Sequence, residues 1–355
     1  MSRTRSLVTG GLGFVGRDLV RALVERGDDV TLIDVGVGKS SAPVPAGVRA
    51  LAVDIRDAAL VREVCAGQDV VFHTASLVHT RHNLVEEVRS VNVDGTHHLL
   101  EGSRAAGVKR FVYVSSASVV YEGRDMEGGD ESLRYATVML APYAATKVTA
   151  EKEVLAANGV GGMATCALRP HVVFGPGDAR FLPEILGRAR AGKLTFKVGM
   201  TDKLSDFTYI ENLTDALIAA DERLTDATCP VAGQAYFITN GEPMAFWDFV
   251  AAVADACGFA KPSKRMPFAV AYAVASVVEG IDTLRGGTFG GEGKLSRFSV
   301  RYLCTHHWFR IDKARRDLGY APRVSVREGI TRTLTALAAA GQDVGRFAAP
   351  PAKAA

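Results

Sequence analysis

The sequence predicts an α/β protein: a doubly wound parallel sheet covered by helices on both faces, with a smaller C-terminal substrate-binding region. Two observations carry this. Short apolar runs alternate with longer helical stretches through the first half of the chain, and a glycine-rich turn joins the first run to the first helix. Uninterrupted apolar strands need cover on both faces, which a parallel sheet between helix layers supplies. A chain of 355 residues is long enough for one large domain and a smaller partner.

Ser6 to Thr9 reads as the first strand, and Phe14 to Arg26 as a helix that Gly27 ends. Val30 to Ile33 is the second strand, stopped by Asp34. Val48 to Val53 is the third, stopped by Asp54, with a helix running on through Cys65. Val70 to His73 and Phe111 to Val114 are the fourth and fifth, separated by a helical stretch from about Asn83 to Ala106. The helix carrying Tyr143 runs to about Ala157, Gly159 to Gly162 break it, and Cys166 to Leu168 is the sixth strand. Beyond Gly175-Pro-Gly-Asp178 the alternation loosens. Helices near Phe181–Ala191, Ile210–Arg223 and Phe246–Cys257 are mixed with short strands such as Ala235–Thr239. The expected division is 1–175 for the first domain and 176–345 for the substrate-binding region, with 206–223 returning to the first domain. The Ala/Pro-rich tail, 346–355, is expected to be disordered.

A net charge of +3, with Lys and Arg scattered rather than blocked, gives no reason to expect nucleic acid. Five cysteines without a Cys-x-x-Cys spacing read as reduced thiols of a cytoplasmic protein. Met-Ser-Arg-Thr-Arg runs straight into a strand and leaves no room for a signal peptide, and no apolar run reaches the roughly 20 residues that span a bilayer.

Gly10, Gly13 and Gly16 lie between the first strand and the first helix, which Phe14 and Val15 open. Glycines there let the backbone turn tightly and approach a pyrophosphate held at the helix N-terminus, the mark of a Rossmann dinucleotide site. Asp34 ends the second strand, where a carboxylate can take both ribose hydroxyls and repel a 2′-phosphate. That favours NAD over NADP, with Lys39 in the following loop as a partial offset. Asp54 and Ile55 are placed for the adenine, and Thr74, Ala75 and Ser76 offer small residues where the cofactor backbone passes. Ser115, and Pro170, His171 and Val173 after the sixth strand, are expected near the nicotinamide end.

Tyr143 and Lys147 stand one turn apart on one helix face. An ammonium there can favour the phenolate and draw a phenol pKa of roughly 10 toward working pH, which makes a general base for a hydroxyl. Such pairs are common on exposed helices. Behind a glycine-rich dinucleotide turn and the Ser115-Ser116 pair, this one specifies alcohol oxidation or ketone reduction with a nicotinamide.

These residues are similar to those of the extended short-chain dehydrogenase/reductases over nearly the whole chain. The resemblance implies that Ser116, or its neighbour Ser115, is the catalytic serine, and that Asn92 in Val91-Asn-Val-Asp-Gly-Thr96 holds a proton-relay water. Within the superfamily, Ser115-Ser-Ala-Ser-Val-Val-Tyr-Glu-Gly123, Arg169-Pro-His171, Phe174-Gly-Pro-Gly-Asp178, Asp206-Phe-Thr-Tyr-Ile-Glu-Asn212 and Ala235–Pro243 resemble the 3β-hydroxysteroid dehydrogenase family, in particular its sterol-4α-carboxylate dehydrogenases. Leu303-Cys-Thr-His-His-Trp308 through Tyr320 is equally similar to bacterial 2-alkyl-3-oxoalkanoate reductases. Both chemistries interconvert a 3-hydroxy acid and a 3-oxo acid. Nucleotide-sugar enzymes of the superfamily commonly carry Arg where this chain has Ser205. Without a guanidinium fork a diphosphate loses its natural partner, so that substrate class is set aside.

His79-x-x-His82, with Arg81, lies in the loop after the fourth strand, and no Asp, Glu or Cys completes a metal ligand set there. No metal is expected. The stretch 267–278 is apolar but too short to span a bilayer; it reads as a buried helix over the substrate cavity, with interfacial contact with a membrane as the alternative. The resulting expectation is NAD(P)-dependent oxidation of the 3β-hydroxyl of a steroid or 4-carboxysterol, in a homodimer, with decarboxylation of a 3-oxo acid able to follow. The alternatives are NADPH-dependent reduction of a 2-alkyl-3-oxoalkanoate and a dinucleotide sensor without turnover.

Overall fold

In the computed structural model, residues 3–79, 84–284 and 296–349 are described. Seven parallel strands form the main sheet. In chain order they begin β1 (Arg5–Thr9), β2 (Asp29–Ile33), β3 (Arg49–Leu51), β4 (Val70–His73) and β5 (Arg110–Val114), and continue with Ala164–Pro170 and Gln234–Ile238. Across the sheet the last strand comes first, then 164–170, β5, β4, β1, β2 and β3. The chain reverses direction across the sheet between β1 and β4, so the crevice beyond their C-terminal ends is the natural binding site.

Successive residues of each strand serve opposite cores. Val8, Leu32, Phe72 and Val112 pack with Leu19 and Leu23 of helix α1 (Phe14–Arg26) and with Leu213 and Leu217 of the Ile210–Arg223 helix. Leu7, Val71, Phe111 and Tyr113 face α2 (Ala58–Cys65), α4 (Gly95–Ala106) and α5 (Pro142–Ala156) through Val61, Leu99 and Val154. Both faces are buried, which is why these strands are continuous apolar runs.

Three element boundaries differ from expectation. The third strand is only Arg49–Leu51, because β3 is the sheet edge and pairs with β2 alone over Thr31 to Ile33. The sixth extends to Ala164–Pro170, since β5 on one side and 234–238 on the other hold its whole length. The long helical stretch is broken between α3 (Val85–Arg89) and α4 by a π-helical turn, Ser90–Asp94. Asn83, like Arg81 and His82, lies outside the described residues, as does the tail from 350.

A third core, around Phe174, Phe207, Tyr209, Phe249 and Trp247, joins the C-terminal elements. A small second sheet brings Leu204–Ser205, Met244–Ala245, His307–Phe309 and Met126–Gly129 together. The apolar 267–278 segment lies mostly in a helix, Phe268–Leu284, that is not buried throughout. Ala271 and Ala275 face the core, while Val270, Val274 and Val277 are 51%, 46% and 62% exposed. No helix of the described residues is long and apolar enough to cross a membrane, and none of them form a group of three or more metal ligands.

Candidate active site

The glycine turn has the shape a dinucleotide requires. Gly10 adopts φ 66°, and its N–H donates to the Ile33 carbonyl at 2.8 Å. A Cβ at Gly16 would lie 2.1 Å from the Gly10 oxygen, and one at Gly10 would lie 2.8 Å from the Ala75 Cα. Only glycine permits this closeness. Helix α1 starts at Phe14 with Gly13 as its N-cap and no side-chain cap, so its first N–H groups are available to an anion. Beside the turn, Asp34 accepts from the Leu12 N–H at 3.2 Å and the Gly36 N–H at 2.8 Å, which fixes its carboxylate at the end of β2. The residues present fit a pyrophosphate and an adenosine ribose. Asp54 is ion-paired: Arg56 takes both its oxygens and holds its carboxyl below the usual range, with Ile55 packed inward beside Gly95.

β1 and β4 are joined beyond their ends. Thr74 Oγ1 donates to the Thr9 carbonyl at 2.6 Å, and the Ala75 N–H to Thr9 Oγ1 at 3.1 Å. His73, fully buried, continues the chain of hydrogen bonds with Thr9 and Thr96, each at 2.8 Å. Thr96 donates to the Asn92 carbonyl, so the imidazole donates through Nε2 and accepts through Nδ1. Burial keeps it neutral, with a pKa down to about 3. Sequence reasoning passed over His73 because it closes an apolar run.

Asn92 sits in the π-helical turn, 2% exposed. Its Oδ1 accepts from the Leu77 N–H at 2.7 Å and Ser76 Oγ at 3.1 Å; its Nδ2 donates to the Leu77 carbonyl at 3.0 Å and Thr146 Oγ1 at 3.1 Å. The amide is saturated. Its side chain therefore stitches the loop after β4 to α5 and has no valence left for a water.

Ser116 and Ser115 separate by the period of the strand. The Ser116 and Ser76 hydroxyls lie on the side of Tyr143 where they favour its phenolate. Ser115 turns the other way, buried, and donates to Glu151, leaving only its backbone toward the cleft. Lys147 is 2% exposed and donates to the Val114 carbonyl at 2.7 Å and the Tyr113 hydroxyl at 3.1 Å; its Nζ lies 5.9 Å from the Tyr143 ring centre. Burial pushes Tyr143 up to about 12 against the opposing pull of the two serines, and pushes Lys147 down to about 7. Desolvation is the largest cause of both shifts.

His171 does not face the cleft. It is buried, with Nε2 3.0 Å from His307 Nδ1 and the Tyr302 hydroxyl at 3.1 Å, a knot that ties the end of the 164–170 strand, Pro170, to the C-terminal region. Val172 between His171 and Val173 holds φ 40°, a conformation that costs a β-branched residue about 1–3 kcal/mol. The Cys304–Trp308 run is thus structural at His307. Ser205 is buried in its short strand.

A cavity of about 340 Å³ is lined by Gly123, Gly199, Met200, Phe268, Arg301 and Cys304. It is not lined by Ser116 or Tyr143; at its wall a Cβ at Gly123 would meet Leu140 at 2.9 Å and Arg301 at 3.4 Å, and Tyr121 bonds Thr305 at 2.7 Å. Arg301 touches Tyr272 and makes no ion pair with a carboxylate among the described residues. Nothing in the sequence around it marked this arginine.

A family model described as the 3-beta hydroxysteroid dehydrogenase/isomerase family matches residues 7–269. The chain is 39% identical to the 2-alkyl-3-oxoalkanoate reductase of Stenotrophomonas maltophilia, over 94% of this chain and 99% of that protein. It is 36% identical to 3beta-hydroxysteroid-dehydrogenase/decarboxylase isoform 2 of Arabidopsis thaliana, over 92% of this chain, and spans 61% of that protein's length. Among solved structures, an epimerase from Methanothermobacter thermautotrophicus superposes with a TM-score of 0.77 at 25% identity, over 95% of this chain and 93% of the other.

Proposed function

This chain belongs to the 3-beta hydroxysteroid dehydrogenase/isomerase family, and from that premise we propose that it is an NAD(P)-dependent dehydrogenase of a secondary 3-hydroxyl on a large apolar molecule. The observation that carries the reading is Lys147, buried one turn along α5 with its Nζ 5.9 Å from the Tyr143 ring, in a fold that opens with a dinucleotide turn. A sensor that only binds dinucleotide has no need of that set. The substrate is a 3β-hydroxysteroid or 4-carboxysterol. The second reading, reduction of a 2-alkyl-3-oxoalkanoate, is favoured by the identity to the Stenotrophomonas enzyme over its whole length.

Bound NAD(P) supplies the hydride acceptor, or the donor in the reverse direction. Gly10, Gly13 and Gly16 would cradle its pyrophosphate and Asp34 its ribose. The remaining chemistry belongs to the chain. Ser116 donates a hydrogen bond to the substrate oxygen and orients it toward Tyr143. Tyr143 takes the hydroxyl proton as the carbinol hydride departs, and Lys147 stabilises the phenolate while that proton is in transit. With a carboxylate β to the new ketone, the ketone serves as electron sink for loss of CO₂.

Arg301 favours an acid as substrate. A cation in a largely apolar cavity, without a carboxylate of its own, can pair with one on the substrate. Arg301→Met is expected to lower kcat/KM for a 3-hydroxy or 3-oxo acid by about 10- to 100-fold, the size of a lost charged hydrogen bond. A neutral 3β-hydroxysteroid should be nearly unaffected; equal losses on both would remove Arg301 from substrate recognition. The deciding comparison is kcat/KM for a 4-carboxysterol with NAD against a 2-alkyl-3-oxo acid with NADPH. An advantage of tenfold or more for the acyclic acid, about 1.4 kcal/mol, overturns the sterol reading.

Asp34 supports NAD as the preferred dinucleotide. Its carboxylate, anchored by the Leu12 and Gly36 N–H groups, stands where a 2′-phosphate would be repelled. Asp34→Ala should move the ratio of kcat/KM for NAD over NADP toward NADP by about tenfold or more. A wild-type protein that already prefers NADP would contradict the assignment.

A further inference from the structure

We propose that Glu151 is a positioning residue for the reaction at Tyr143: its carboxylate holds the Ser116 strand end and the Tyr143 helix in register and supplies the buried negative charge that favours the ammonium form of Lys147. The inference rests on the dehydrogenase reading and deepens it.

Tyr143, Lys147 and Glu151 recur every four residues along α5, so they form one stripe on its inner face. Glu151 has no exposure to solvent. Its oxygens accept from Ser115 Oγ, from the Tyr135 hydroxyl at 2.8 Å, and from Arg169, whose Nη2 lies at 2.6 Å and Nε at 3.1 Å. Those donors come from the end of β5, from the loop before α5 and from the 164–170 strand. The Ser115 bond is the one that matters for geometry. Ser115 precedes Ser116, so a carboxylate on the Tyr143 helix grips the backbone that carries the other reacting hydroxyl. Arg169 itself lies over the rings of Tyr135 and Phe237, with Nη1 unpartnered. A buried ion pair of this kind is a weak source of stability, because desolvation of both partners offsets most of their attraction. Its placement suits a different purpose.

That purpose is the charge on Lys147. The direct partners of its Nζ, the Val114 carbonyl and the Tyr113 hydroxyl, are neutral. The titratable groups facing it are Tyr113 from β5, His73 from β4, and Tyr143 and Glu151 from its own helix. His73 and Tyr113 are held neutral by burial. Glu151 is the carboxylate, among the described residues, that opposes the desolvation of this ammonium. Without Glu151 the desolvation of Lys147 would go unopposed, so Lys147 would lose its proton at lower pH and Tyr143 would keep its own to higher pH.

The test uses the full chain with Glu151→Gln and Glu151→Asp. NMR of isotopically labelled lysine, with Lys147 assigned by its loss in Lys147→Met, follows the titration of Lys147 directly. In Glu151→Gln its midpoint should fall by about one pH unit or more, and the acid limb of the kcat/KM profile should move to higher pH by a similar amount, about a tenfold loss of rate at a fixed pH on that limb. Glu151→Asp should restore the midpoint and the limb while lowering kcat, because a shorter side chain keeps the charge and releases Ser115. Ser115→Ala should lower kcat without moving the limb. If removal of Glu151 alone leaves Arg169 unpaired and the protein unfolded, Glu151→Gln combined with Arg169→Gln removes both charges and is read the same way. An unmoved Lys147 midpoint with only a lower melting temperature would overturn the proposal. A chain with no turnover on any 3-hydroxy or 3-oxo substrate would sink the dehydrogenase reading instead, and the lysine titration would still decide the role of Glu151.

Discussion

Tyr143→Phe is expected to lower kcat by about 10²- to 10⁴-fold while leaving dinucleotide affinity within about twofold of wild type. The reason is local. Phe keeps the ring that lies near Lys147 and removes only the hydroxyl whose phenolate Ser116 and Ser76 favour. The loss should appear in kcat and kcat/KM alike, as befits an interaction made in the transition state. Steady-state kinetics with a 3-hydroxy acid, together with a fluorescence titration of NAD, checks both halves. A variant that keeps most of its turnover would take the proton transfer away from Tyr143 and leave the fold unchanged.

Gly16→Ala should weaken dinucleotide binding markedly. The added methyl would sit 2.1 Å from the Gly10 carbonyl oxygen and 2.8 Å from the Gly11 Cα, both backbone, so no side chain can swing away. The turn must open, at a cost of about 1–3 kcal/mol, which corresponds to a Kd raised by about 10- to 100-fold. Gly27→Ala is the control. Gly27 caps the far end of the same helix at φ 95° with nothing within 4 Å of the new methyl. It should cost about 1 kcal/mol of stability and leave dinucleotide affinity alone. Equal effects of the two substitutions on NAD binding would mean that the turn does not carry the pyrophosphate.

Local pattern was enough for the sheet. Ser6–Thr9, Val30–Ile33, Val70–His73 and Phe111–Val114 are strands within one residue of where the apolar runs place them, because a strand buried on both faces leaves no polar positions to blur its ends. The Phe14–Arg26 helix falls between its own signals, a glycine turn and Gly27. Where neighbours decide length, local pattern fell short: β3 is cut back at the sheet edge, and the 164–170 strand is drawn out by a partner, 234–238, that lies about 70 residues on.

For the centre itself, the sequence alone determined its parts: the glycine turn, Asp34, the Tyr143–Lys147 pair and a serine pair to choose from, all signalled by spacing within a single element. Only the tertiary structure turned Ser115 toward Glu151, buried Glu151 and Arg169 together, made His171 a knot with Tyr302 and His307, and set Arg301 in a cavity. The physical reason is range. Backbone geometry and helix periodicity act over a few residues and leave their trace in the sequence. Desolvation, buried charge pairing and hydrogen bonds between residues such as His171 and Tyr302 depend on which elements the fold brings together; desolvation is what pushes Tyr143 up and Lys147 down.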